Sequence, residues 1–105
     1  MLKVEQYNNT YRLYFQGTDK FNVYNAKEVE QELMEYVKKP SAQVTLNLNG
    51  VEFIDSSAFE SLLRVLRNAK VNNTRFQLAN ISDEAMELIK LMQLENVFSI
   101  KKNHY

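Results

Sequence analysis

At 105 residues the chain suits one domain with a modest core, and its thirteen basic and thirteen acidic residues cancel to zero net charge. That balance removes the electrostatic reason to expect nucleic acid or an anionic membrane as a partner. The absence of cysteine excludes disulfides and thiolate metal sites.

From the N-terminus, Lys3 to Tyr7 alternates in polarity, Asn8-Asn9 can supply the positive-φ residues of a tight turn, and Thr10 to Gln16 resumes the alternation. This predicts an antiparallel hairpin closed by Gly17, with Tyr11, Leu13 and Phe15 on one face and Tyr7 packing with Tyr11 across the hairpin. Thr18 to Tyr24 reads as a connection. Asn25, with Glu28 three positions on, predicts a capped helix start. The helix places Ala26, Val29, Leu33 and Val37 on one face and sets Glu35 and Lys39 as an i,i+4 pair. Pro40 stops it, because proline disfavours helix in the preceding residue.

Val44, Leu46 and Leu48 alternate with Thr45 and Asn47, which predicts a strand ended by Asn49-Gly50. Val51, Phe53 and Ile54 are too apolar for a free loop and are expected to lie against the core. Ser57-Ala58-Phe59-Glu60 then has the spacing of a capping box, with Ser57 as the cap of a helix from about Ala58 to Lys70. Phe59, Leu62, Leu63, Leu66 and Ala69 form its apolar stripe. Ser57, Glu60, Arg64 and Arg67 run down the other side. Asn72-Asn73 ends it, Arg75 to Ala79 is a short strand, and Ser82 caps a third helix burying Ala85, Leu88, Ile89 and Met92. Val97 to Ile100 gives a last strand, followed by a polar tail holding the only histidine, His104. The order β-β-α-β-α-β-α-β implies right-handed parallel crossovers. The fold class is therefore α/β: one domain over residues 1–105, a small mixed sheet of four to five strands with helices packed on it.

The functional reading centres on Asp55-Ser56-Ser57 before the second helix. A helix start exposes unpaired N–H groups and partial positive charge, so a hydroxyl there is well sited to carry a phosphate. Catalysis is disfavoured. A serine nucleophile needs a base and oxyanion donors, and the only histidine lies in the tail. No phosphate-binding glycine loop or metal-ligand cluster is present either. No apolar run approaches the ~20 residues of a membrane span, and Met1 to Glu5 lacks the apolar core of a signal peptide. No cofactor is implied, and a cytoplasmic protein is expected.

The stretch Asn47 to Phe59, reading NLNGVEFIDSSAF, resembles the signature of the STAS domain, typified by bacterial anti-sigma-factor antagonists. Leu91 to Phe98 is similar to the family's ending, and the match before Pro40 is weaker. The resemblance implies that Ser57 occupies the regulatory phosphorylation position, beside Ser56 and Asp55. It further implies docking on an anti-sigma-factor serine kinase while the serine is unmodified, and restoration by a PP2C-type phosphatase. The implied partner surface comprises Asn22, Phe53, Asp55, Ser56, Ser57, Ala58 and Phe59, with the Asn22–Tyr24 loop beside it. Four positions depart from the family pattern. Ala58 replaces glycine, and Glu60 stands where a small residue is usual. Asn22 stands where many members carry aspartate. Gln93 replaces a helix-ending glycine and must take positive φ. Other STAS domains serve as subunits of lipid-transport ATPase complexes, as parts of sensor assemblies or as tails of anion transporters. A single-domain chain disfavours the last, and in an adaptor of the first two kinds Ser57 is only a helix cap.

Overall fold

The structure, a computed structural model, describes residues 1–101; His104 and the rest of the tail beyond Lys101 lie outside them. Among the described residues seven strands and three helices follow in the order β1 (Leu2–Tyr7), β2 (Thr10–Phe15), β3 (Lys20–Phe21), α1 (Ala26–Val37), β4 (Gln43–Asn47), β5 (Phe53–Ile54), α2 (Ser56–Val71), β6 (Arg75–Ala79), α3 (Asp83–Leu91) and β7 (Ser99–Lys101). The main sheet has strand order β1-β2-β4-β6-β7, with β1 antiparallel to β2 and every later neighbour parallel. The expected α/β domain with a mixed sheet and an N-terminal hairpin is the observed one.

Alternation decides which face of the sheet is covered. Leu13, Val44, Leu46, Phe76 and Leu78 point one way and are buried. The helices lay Val29, Leu33, Val37, Phe59, Leu62, Val65, Ala69 and Ile89 on that face, each fully buried. Arg12, Gln43, Arg75 and Lys101 point the other way and are exposed.

Several local expectations change. The connection after Gly17 contains β3, which pairs in parallel with β5 as a separate two-stranded ribbon. Asn25 does not cap α1 with its side chain. Its Oδ1 accepts from Asn22 N at 2.9 Å and its Nδ2 donates to the Lys20 carbonyl at 2.7 Å. Tyr7 and Tyr11 lie on opposite faces of the hairpin, because Tyr7 is opposite Thr10 and Tyr11 is opposite Gln6. Tyr11 instead packs on Tyr36 of α1, with ring centroids 5.1 Å apart. Glu35 pairs with Lys38 at 2.7 Å rather than Lys39. Of the hairpin asparagines, Asn8 takes positive φ. In α3, Ala85 and Ile89 are buried while Leu88 and Met92 are only half-buried. Gln93 does adopt φ +60° at the end of α3, and Ser82 does cap that helix, accepting from Ala85 N at 3.1 Å.

Candidate functional site: the start of α2

The site is built from the chain that leaves β4 and enters α2. Leu48 and Val51 are buried and hold the connection to the core, as expected, but Phe53 is 55% exposed. Phe53 stays outside because it lies in the β3–β5 ribbon, opposite Lys20, whose Nζ lies 5.9 Å from its ring centroid. Ile54 in the same strand is half-buried and packs against the core. The ribbon is anchored by Glu52 N and Phe53 N donating to the Asp19 carbonyl and by Asp55 N donating to Phe21 O.

Asp55, not Ser57, is the cap of α2. Its Oδ1 accepts from Ala58 N at 3.0 Å. The helix therefore begins at Ser56, and Ser57 occupies its second position rather than the flanking one. The Ser57–Glu60 capping box does not form. The physical reason is that the Asp55 carboxylate takes the Ala58 N–H, which starts the helix at Ser56; Ala58 and Phe59 in that first turn are both 0% exposed. Phe59 meets Phe98 there, with ring centroids 6.3 Å apart. Asp55 does a second job. Its Oδ2 accepts from Val23 N at 3.0 Å, so one carboxylate ties the α2 start to the loop before α1.

That loop is compact. Asn22 Oδ1 accepts from Tyr24 N at 3.0 Å, and the Asn22 carbonyl accepts from Asn25 N and Ala26 N. The Asn22 side chain is thus committed to its own turn. The loop holds Val23 at 61% and Tyr24 at 93% exposure. Pairing of β3 with β5 and the Asp55–Val23 bond tie this loop to the segment that carries Phe53 into α2.

Ser56 is exposed and Ser57 half-buried. Among the described residues no hydrogen bond holds either hydroxyl. Ala58 and Phe59 lie beneath this face, so they give it support rather than side-chain contact. Arg64, one turn beyond Glu60, pairs elsewhere. Its Nε and Nη2 donate to Glu30 Oε1 of α1 at 3.0 and 2.9 Å, and Nη2 also reaches the buried Ser61 hydroxyl at 3.1 Å. Hydrogen bonding to Glu30 pushes the Arg64 pKa above its ordinary value. The sequence alone did not identify Asp55 as the cap or Glu30 as the partner of Arg64. Among the described residues no group of three His, Cys, Asp or Glu side chains could hold a metal, and no helix is long and apolar enough to cross a membrane.

The STAS domain family model matches residues 1–105. The chain belongs to the STAS domain family. Solved STAS-type structures superpose over nearly its whole length. A STAS domain protein from Planctomyces limnophilus, described as an anti-sigma-factor antagonist, gives a TM-score of 0.86 at 18% identity, covering 98% of this chain and 91% of that one. A putative anti-sigma factor antagonist from Thermotoga maritima gives 0.79 at 17% identity, covering 98% and 86%. The Bacillus cell fate determinant SpoIIAA in its phosphorylated form gives 0.72 at 14% identity, covering 99% and 92%. At such identities the likeness to these structures is one of fold. The STAS signature residues Asp55, Ser56 and Ser57 form the first turn of α2 and its cap.

Proposed function

We propose that this STAS domain is an anti-sigma-factor antagonist, a protein-binding module controlled by phosphate on Ser57. When Ser57 is unmodified, the domain docks on an anti-sigma-factor serine kinase in the bacterial cytoplasm and so regulates sigma-factor-dependent transcription. The kinase phosphorylates Ser57 and a PP2C-type phosphatase restores it. The domain is the substrate of that cycle and not a catalyst. The observation that carries this reading is the division of labour at the α2 start. Asp55 takes the capping role and holds the exposed Val23–Tyr24 loop through Val23 N, and Ser57 is left with a half-buried, uncommitted hydroxyl in the first turn of α2.

The contact surface is Asn22 to Tyr24 together with Phe53 to Ser57. A phosphate brings about −1.5 to −2 charges. At the positive end of α2 it costs the domain little. Pressed against a partner, it must be paired or the contact opens. This chain offers it little help: Glu60 is three residues away, and Arg64 is committed to Glu30. That same commitment supports a second reading, a constitutive adaptor in which the face binds a partner without a switch. The two separate in one experiment. The protein is incubated with candidate anti-sigma-factor kinases and ATP, phosphate is mapped by mass spectrometry, and binding is compared for Ser57→Ala and Ser57→Asp. Binding by the alanine variant alone supports the switch, and equal binding by both supports the adaptor.

A further inference from the structure

The sheet face turned away from the helices is shaped as well as polar. Tyr14, Asn47, Ala79 and Lys101 share one rung across four strands. Strands lie about 4.8 Å apart, so Tyr14 and Lys101 stand roughly 14 Å from each other. Between them Ala79 is short. The rung behind it runs Arg12, Thr45, Gln77, Ser99. Ala79 and Thr45 are only 6% and 8% exposed on a face that carries no helix, so they are sunk below their taller neighbours. The result is a hollow of about 360 Å³, a size that suits a small ligand.

The hollow is rich in donors. The Asn47 Oδ1 is occupied, accepting from Asn80 Nδ2 at 3.0 Å and Asn49 N at 2.8 Å, which leaves the Asn47 amide N–H groups to spare. Arg12 and Lys101 line the hollow, and neither forms an ion pair among the described residues. Glu5 lies opposite Arg12 on the neighbouring strand and accepts the Tyr14 hydroxyl proton at 3.0 Å. The face as a whole carries Lys3, Arg12, Arg75 and Lys101 against that single carboxylate, in a chain whose charges cancel overall. Outward faces of such sheets are ordinarily polar. Polarity alone does not produce a sunken small-residue floor with cations at its rim.

We propose that this hollow binds a small organic anion, with its carboxylate or phosphate held by Lys101 and the Asn47 amide and its polar body over Thr45 and Gln77. The site is independent of Ser57. Isotope-labelled full-length protein is titrated by NMR with citrate, glucose 6-phosphate and, as the neutral control, glucose. Saturable shifts at Asn47 and at Gln77 to Asn80 with either anion, and none with glucose, are expected; the anion that acts identifies carboxylate or phosphate. Lys101→Gln, at an exposed position, should weaken binding at least tenfold. Ala79→Leu, which fills the hollow without changing charge, should abolish it in protein shown by its spectrum to be folded. The proposal is overturned if neither anion gives saturable shifts or if glucose binds equally. Shifts centred on Ser56 to Phe59, or binding that survives Lys101→Gln, overturn it as well.

Discussion

Replacing Asp55 by alanine tests how the start of α2 is built. The carboxylate accepts two backbone N–H bonds, one from Ala58 inside the helix and one from Val23 in the loop before α1. Loss of an N-cap costs about 1 kcal/mol. Loss of a hydrogen bond to a charged acceptor costs about 1.5 kcal/mol or more when buried, and less here because Val23 is exposed and water can replace the acceptor. The sum is about 2 kcal/mol. For a domain of this size that lowers Tm by roughly 9 °C. Asp55→Asn keeps one acceptor oxygen and should lose about half as much. Ser57→Ala removes no cap and should stay within about 0.5 kcal/mol of the parent. Calorimetric or circular-dichroism melts of the three variants decide the matter. A large loss in Ser57→Ala with little in Asp55→Ala would restore the Ser57–Glu60 capping box and refute the reasoning.

Phe59→Ala should cost about 3–5 kcal/mol, because the ring is fully buried against Phe98, whereas Phe53→Ala should fall within about 0.5 kcal/mol; urea unfolding of both measures the contrast. A double-mutant cycle on Glu30 and Arg64 should give a small favourable coupling that shrinks in high salt, since both ends are partly solvated; additivity of the two single changes would contradict the pairing. Gln93→Gly should stabilise the domain by about 0.5–1 kcal/mol in the same assay, because Gln93 is held at φ +60° on an exposed surface.

The helices and main strands were legible because each carries many periodic residues. Ala26, Val29, Leu33 and Val37 are the buried face of α1 that the spacing indicated. Alternation from Val44 to Asn47 identified β4 in the same way. The two-residue strands β3 and β5 were not legible, since two residues hold no period and each needs the other, more than thirty positions away, to exist. The cap of α2 was ambiguous for a different reason. Asp55-Ser56-Ser57 offers three capping residues in a row, and Glu60 favours the last of them. The distant Val23 N–H, which favours Asp55, emerges only in three dimensions. Asn25 likewise looked like a cap, but the Lys20 carbonyl and the Asn22 N–H claim its side chain. Arg64 lay within reach of Glu60 by sequence and paired across the α1–α2 interface with Glu30 instead.

The central claim is that the Ser57 hydroxyl gates a protein contact at the start of α2. Isothermal titration of a kinase shown to phosphorylate the domain, against unmodified and stoichiometrically Ser57-phosphorylated protein of identical fold, measures it directly. The account predicts at least tenfold weaker binding by the phosphorylated form. Equal affinity of the two forms contradicts it.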